Sequence, residues 1–204
     1  MSRVPAVLRS KLLAVALSAA AAGTGTYVAT HRETLASPAV QLAQEIGSHY
    51  ESSGRHIGTP YIDRVGRGQP LTVCDGITGP EVVAGRNYTR EDCKRLELPR
   101  YRDAERAAKR LFIWWAVYNV WVQASIIDMI FNVGEAQVAT STMLRMANEG
   151  DLPGACAQMT RWVNGTVNGQ RVRLAGLVDR TGTRAELCAD WGRDGHFSAA
   201  GVAP

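Results

Sequence analysis

The sequence predicts an α+β fold: mostly helical, with a small β-sheet in its first half, a long buried helix at its centre, and an N-terminal segment able to enter a membrane. Three observations carry this. Apolar residues recur at helical spacing after residue 37 and again through the second half of the chain. Residues 52–85 are instead crowded with Gly, Pro and Thr. Residues 12–30 carry no charged side chain.

The N-terminal stretch comes first. Arg3, Arg9 and Lys11 precede it, and His31, Arg32 and Glu33 restore polarity after it. Positive charge before an apolar segment holds that end in the cytoplasm and sends the rest across. The stretch approaches the roughly 20 residues a spanning helix needs. It is a weak anchor, because Leu12, Leu13, Val15 and Leu17 give way to Ser18, alanines, Gly23, Thr24, Gly25 and Thr26. A cleaved signal peptide, with small residues around Ala20 to Gly23, is a second reading. A buried core helix is the least favoured, since the composition shows no packing stripe. The first two share export as their consequence, so the chain divides into a membrane-entering start (1–36) and one globular domain (37–204).

Ser37-Pro38 has the form of a helix start, and Val40, Ala43, Ile46 and Tyr50 follow at helical spacing, which puts Glu51 at the helix end. From Ser52 to Gly85 the short apolar pieces Tyr61-Ile62 and Leu71-Thr72-Val73 suit strands of a small sheet. Thr89 with Asp92 three residues on opens another helix. Gln123 to Phe131 is apolar on most sides and predicts the buried central helix, stopped at Gly134. Helices are then expected over Val138 to Asn148, Leu152 to Val163 and Val178 to Trp191.

A chain of 204 residues with 46% hydrophobic composition suits one domain plus an appendage, and its net charge of +4 suits a polyanionic partner. Nucleic acid is a poor candidate: basic and acidic residues are interspersed, as in Arg90-Glu91-Asp92-Cys93-Lys94-Arg95, and no nucleic-acid-binding motif is present. The four cysteines, Cys74, Cys93, Cys156 and Cys188, all follow the apolar segment and lack metal-ligand spacing, which favours disulfides in an oxidising compartment. Of the three pairings four cysteines allow, Cys74 with Cys93 and Cys156 with Cys188 are favoured as nearest in sequence. His49 and His56 flank Glu51 and read as surface or cleft wall ahead of a metal site. The run Trp114, Trp115, Tyr118, Trp121 reads as core packing first and a sugar-stacking platform second. Asn164-Gly165-Thr166 matches the pattern of a glycosylation acceptor.

Glu51 at a helix end, Asp63 in a loop and Thr72 on the following strand form a candidate site. Hydrolysing a glycosidic bond takes a proton donor for the leaving oxygen and a carboxylate that activates water or attacks the sugar. A glutamate against an apolar wall stays protonated as the acid, and an aspartate in a wetter loop stays ionised.

The order Tyr50-Glu51, Tyr61-Ile62-Asp63, Gly68, then Leu71-Thr72-Val73-Cys74-Asp75-Gly76-Ile77-Thr78-Gly79 resembles the signature of phage-type lysozymes. Ile127 to Gly134 is similar to that family's central-helix motif, and Ser141 to Leu144, Arg161-Trp162-Val163 and Leu174 to Val178 resemble later landmarks. The resemblance implies a lysozyme-like fold, Glu51 as general acid, Asp63 as second carboxylate and Thr72 positioning water. It also implies peptidoglycan as substrate, with Asn132 and Asp75 as sugar contacts, and a chemistry that needs no metal or organic cofactor. Glu51 and Asp63 stand twelve positions apart and Asp63 and Thr72 nine, both longer than the common pattern, so the turns between them carry insertions. A lytic transglycosylase using Glu51 alone and a wall-binding protein with a dead site are the competing expectations. A monomer that reaches the periplasm, by signal cleavage or by release of an intact signal-anchor, completes the reading.

Overall fold

The computed structural model describes residues 2–22, 36–51, 56–63, 68–74, 76–167 and 169–190. Its centre is α4 (Val120–Val133), against which α2 (Pro38–Glu51), α3 (Arg90–Leu111) and α8 (Ala175–Ala189) pack. Asn119 starts α4 by accepting from the amides of Trp121 and Val122, both at 3.0 Å. Gly134 ends it at φ 88°, a conformation glycine adopts without strain. Between these ends Trp121, Ile126, Ile127 and Met129 are buried, as a helix apolar on most sides requires.

α2 begins at Pro38 and ends at Glu51, with Val40, Ala43 and Ile46 inward. α3 opens with a reciprocal capping box between Thr89 and Asp92 and runs on through Pro99. Between α2 and α3 lies an antiparallel sheet of β1 (Tyr61–Ile62), β2 (Leu71–Val73) and β3 (Ile77–Thr78), with Tyr61 opposite Thr72 and Thr72 opposite Thr78. Val73, Ile77, Val82 and Tyr88 give this lobe a small core of its own.

Cys74 is joined to Cys93, stapling the sheet to the first turn of α3, and Cys156 is joined to Cys188, stapling α7 (Leu152–Gln158) to α8. The favoured pairing is the one observed.

Four expectations are corrected. The N-terminal stretch does carry a packing stripe. α1 (Ala6–Ala22) turns Leu8, Leu12 and Ala16 inward at four-residue spacing and packs on α2, with Val4 buried ahead of them. No helix among the described residues is long and apolar enough to cross a membrane, and residues 23–35 lie outside those described. The stretch from Val138 to Asn148 is two helices, α5 (Glu135–Ala139) and α6 (Thr142–Asn148), because Ser141 caps the second by accepting from the Leu144 amide. The helix expected to run to Val163 ends at Gln158, followed by a single tight turn (Met159–Arg161). The last helix starts three residues earlier than expected, at Ala175. A hairpin of β4 (Asn164–Val167) and β5 (Gln170–Arg173) has no counterpart among the sequence expectations, although Asn168-Gly169 is a hairpin dipeptide and Gly169 has φ 77°. The Asn164-Gly165-Thr166 triplet is thus strand.

Candidate catalytic site

Glu51, the last residue of α2, is where the helix delivers its one accessible carboxylate. Its side chain is 35% exposed. The apolar wall expected behind it is a guanidinium: Arg180, buried on α8, forms an ion pair with Glu51 Oε1. Arg180 is itself fixed by Asp128 on α4, with Nη2 donating to Oδ1 at 2.7 Å and Nε to Oδ2 at 3.1 Å. Arg184, one turn along α8, donates to the same Asp128 carboxylate and to the Asp128 carbonyl. Two acids and two guanidiniums thus form a balanced cluster, three of its four members out of water.

Burial alone would push the Asp128 carboxyl up, yet Arg180 and Arg184 beside it overcome this and hold it below the usual carboxylate range. Burial works against the charge on Arg180, and Asp128 and Glu51 more than restore it. Neither Asp128 nor the arginines figure among the sequence candidates. The signal was there, since one carboxylate inside Ile126-Ile127-Asp128-Met129 must find a buried cation, and Arg180 and Arg184 share a helix face.

Packing holds the cluster from outside. Tyr101 on α3 stacks on Phe131 with ring centroids 4.0 Å apart, and a Cβ on Gly47 would overlap the Tyr101 hydroxyl. Gly47 therefore lets Tyr101 of α3 close on α2. Tyr50, beside Glu51, shares a 2.6 Å hydrogen bond with Thr183 of α8, and burial pushes its phenol up.

Asp63 follows β1, its amide donating to the Pro70 carbonyl at 3.0 Å. Thr72 lies on β2, buried, and its hydroxyl donates to the same carbonyl at 3.1 Å. One backbone oxygen thus sets the positions of both residues across the strand pair. Asn132 stands at the C-terminal end of α4, with its buried Oδ1 lacking a hydrogen-bond partner among the described residues. Asp75 lies outside the described residues. His56 contacts the Tyr88 carbonyl through Nε2 at 2.6 Å, and His49 meets the Tyr50 ring edge-on. Tyr118 and Trp121 are core, as expected, whereas Trp114 is half exposed.

The profile of the phage lysozyme family matches residues 55–184. The chain belongs to that family. As a phage lysozyme it is a glycoside hydrolase, a muramidase endolysin acting on peptidoglycan. The profile ends on Arg184 and starts four residues after Glu51. This lysozyme is 34% identical to the SAR-endolysin of Enterobacteria phage P21 over 135 residues, 66% of this chain and 75% of that protein. It is 30% identical to the SAR-endolysin of Escherichia phage Mu over 182 residues, 86% and 93% of the two chains. The lysozyme fold recurs in the endolysin of Escherichia coli O157:H7 phage FAHEc1 (TM-score 0.60, 19% identity, 71% and 90% coverage). It recurs also in the muramidase domain of SpmX from Asticaccaulis excentricus (TM-score 0.59, 21% identity, 72% and 93% coverage).

Proposed function

We propose that Glu51 is the general acid of this lysozyme and Asp63 its second carboxylate, hydrolysing the bond between N-acetylmuramic acid and N-acetylglucosamine. The ion pair from Arg180 to Glu51 carries the reading. Because Asp128 holds Arg180, the guanidinium orients the Glu51 carboxyl at the end of α2, from where it would reach the leaving oxygen. Asp63, ordered through the Pro70 carbonyl, is the group that activates water or attacks the anomeric carbon. Thr72, tied to that same carbonyl, sets the strand against which the reacting water is placed. Asn132, at the C-terminal end of α4, and Asp75 are the proposed sugar contacts. The enzyme acts as a monomer.

Residues 12–30 serve as a signal-anchor that enters the inner membrane, and on release into the periplasm the part up to Ala22 docks within α1. The relatives named SAR-endolysins support this, as does an apolar stripe that α2 can cover once lipid no longer does. Recovery of a mature N-terminus near Ala22 from cells would overturn it in favour of a cleaved signal.

Turbidity loss of purified Gram-negative peptidoglycan, with the released ends identified by mass spectrometry, tests the site. Glu51→Gln and Asp63→Asn are each expected to lower the rate by at least about a hundredfold, and the wild type to leave hydrated reducing ends. Anhydro ends, or full activity in Asp63→Asn, would point to a transglycosylase or another second acid.

A further inference from the structure

Along α3 the cations are held by acids: Lys94, Arg95, Arg106, Lys109 and Arg110 each stand in an ion pair. The C-terminal hairpin departs from this. From Leu152 to Val178 the chain carries three arginines, Arg161, Arg171 and Arg173, and no acid. Arg171 and Arg173 are exposed on β5, and neither meets a carboxylate among the described residues. The strand alternation puts both on one face, opposite Thr166 and Asn164 of β4. The other face carries Val172 and Gly165, where a Cβ on Gly165 would run into Leu174 at the start of α8. The hairpin thus rests on α8 by one side and displays its guanidiniums on the other.

A further guanidinium arrives from the far end of the sequence. Arg3, ahead of α1, lies along α8, where a Cβ on Gly182 would meet its Cδ at 3.0 Å. Its guanidinium too has no ion pair among the described residues. Arg3 and Arg173 both line a cavity of about 430 Å³ whose wall includes Thr181 and Gly182. Asp179 is the one acid in that wall among the described residues, and it is paired with neither arginine. Like charges gathered without counter-charges repel one another, and an anionic ligand relieves this. The guanidinium fork matches a carboxylate through two parallel hydrogen bonds. Two guanidiniums and one carboxylate around a cavity therefore fit a ligand bearing carboxylates and an ammonium.

The place of the cavity favours the wall as the source. Thr183, the residue after Gly182, shares a hydrogen bond with Tyr50, the neighbour of Glu51. A glycan cleaved at Glu51 carries peptides on its muramic acid units, and a diamino acid left uncrosslinked in such a peptide presents an ammonium beside a carboxylate.

We propose that Arg3, Arg173 and Asp179 form a subsite for the zwitterionic end of a wall stem peptide, the guanidiniums taking its carboxylates and Asp179 its ammonium, with Arg171 drawing the peptide in along the hairpin. The assignment rests on the reading of Glu51 as the place of cleavage and adds to it a preference for peptide-bearing, uncrosslinked wall. Because Arg3 precedes α1, the subsite is complete only while α1 is docked.

The test is titration calorimetry of the full-length protein with the free wall tripeptide L-alanyl-γ-D-glutamyl-meso-diaminopimelate, at low and high salt. Wild type is compared with Arg173→Gln, Arg3→Gln and Glu51→Gln, each checked for folding by its melting temperature. Wild type is expected to bind with an affinity that falls with salt and falls roughly tenfold in either arginine variant, and Glu51→Gln to bind as wild type does. Turnover is then compared on intact peptidoglycan and on the same glycan stripped of its peptides by an amidase. Wild type is expected to show a KM roughly tenfold lower on the intact wall, and Arg173→Gln to close that gap. No tripeptide binding by wild type, equal binding by folded arginine variants, or an undiminished gap in KM overturns the proposal. Binding to phosphatidylglycerol vesicles that Arg171→Gln and Arg173→Gln abolish, with tripeptide binding intact, would assign the arginines to lipid phosphate and overturn it too. Failure of the catalytic reading shows separately, as turnover retained in Glu51→Gln, whereas tripeptide affinity reports the subsite.

Discussion

Asp128 holds the arginine that holds Glu51, and it does so from inside the most apolar helix of the chain. Asp128→Asn keeps the shape and removes the charge, leaving two buried guanidiniums with Glu51 as their one carboxylate. Breaking a buried pair from one side costs about 3–5 kcal/mol, so a fall in stability of that order is expected in urea titration, together with a loss of turnover because Arg180 is no longer fixed. The pH dependence follows from the same contact. A carboxyl held below its unfolded value contributes stability that is present above about pH 4 and lost as pH falls through its folded value. Wild type is expected to lose stability in that acid window, and Asp128→Asn to lack that part of the loss. Identical acid titrations would show that the pair contributes nothing to it.

The N-terminal helix is the element whose role changes most between sequence and structure. α1 places Leu8, Leu12 and Ala16 in the core, and the residues just ahead of it are tied to α8, where Thr183 donates to the Arg3 carbonyl at 3.2 Å and Glu186 accepts from Ser2 and the Arg3 amide. Thr183 also bonds Tyr50, next to Glu51. Leu12→Ala removes a fully buried side chain and is expected to cost about 2–5 kcal/mol in thermal or urea unfolding. A cost below about 1 kcal/mol would mean that α1 does not dock in solution. A fragment starting at Ser37 exposes the α2 face that α1 covers and should melt lower than the whole chain.

At the scale of the whole molecule, two disulfides tie together segments far apart in function. Cys74–Cys93 closes a loop spanning 19 residues around the sheet lobe and Cys156–Cys188 one of 32 around the hairpin and most of α8. Replacing the second pair by serines frees the helix that bears Arg180 and Arg184, and is expected to lower stability by about 3 kcal/mol, read by calorimetry. Turnover per folded molecule should fall with it if α8 positions Arg180, whereas loss of the first pair should act on Asp63 and Thr72 through the sheet.

The central helix, strands β1 and β2 and the caps at Ser37, Thr89 and Gly134 were legible in the sequence because each is written by local chemistry: apolar period, turn residues, a capping side chain. Glu51, Asp63 and Thr72 were singled out as candidates through a motif of ordered residues, and their roles are the proposal made above. Four things were decided only by the tertiary structure: that Glu51 faces Arg180, that Asp128 binds both arginines, that one carbonyl sets Asp63 and Thr72, and that α1 docks on α2. Each is a contact between residues remote in sequence, and an apolar stripe such as Leu8, Leu12 and Ala16 is satisfied equally by lipid or by a neighbouring helix. Periodicity reports that such a face must be covered; the identity of the cover is a property of the folded chain.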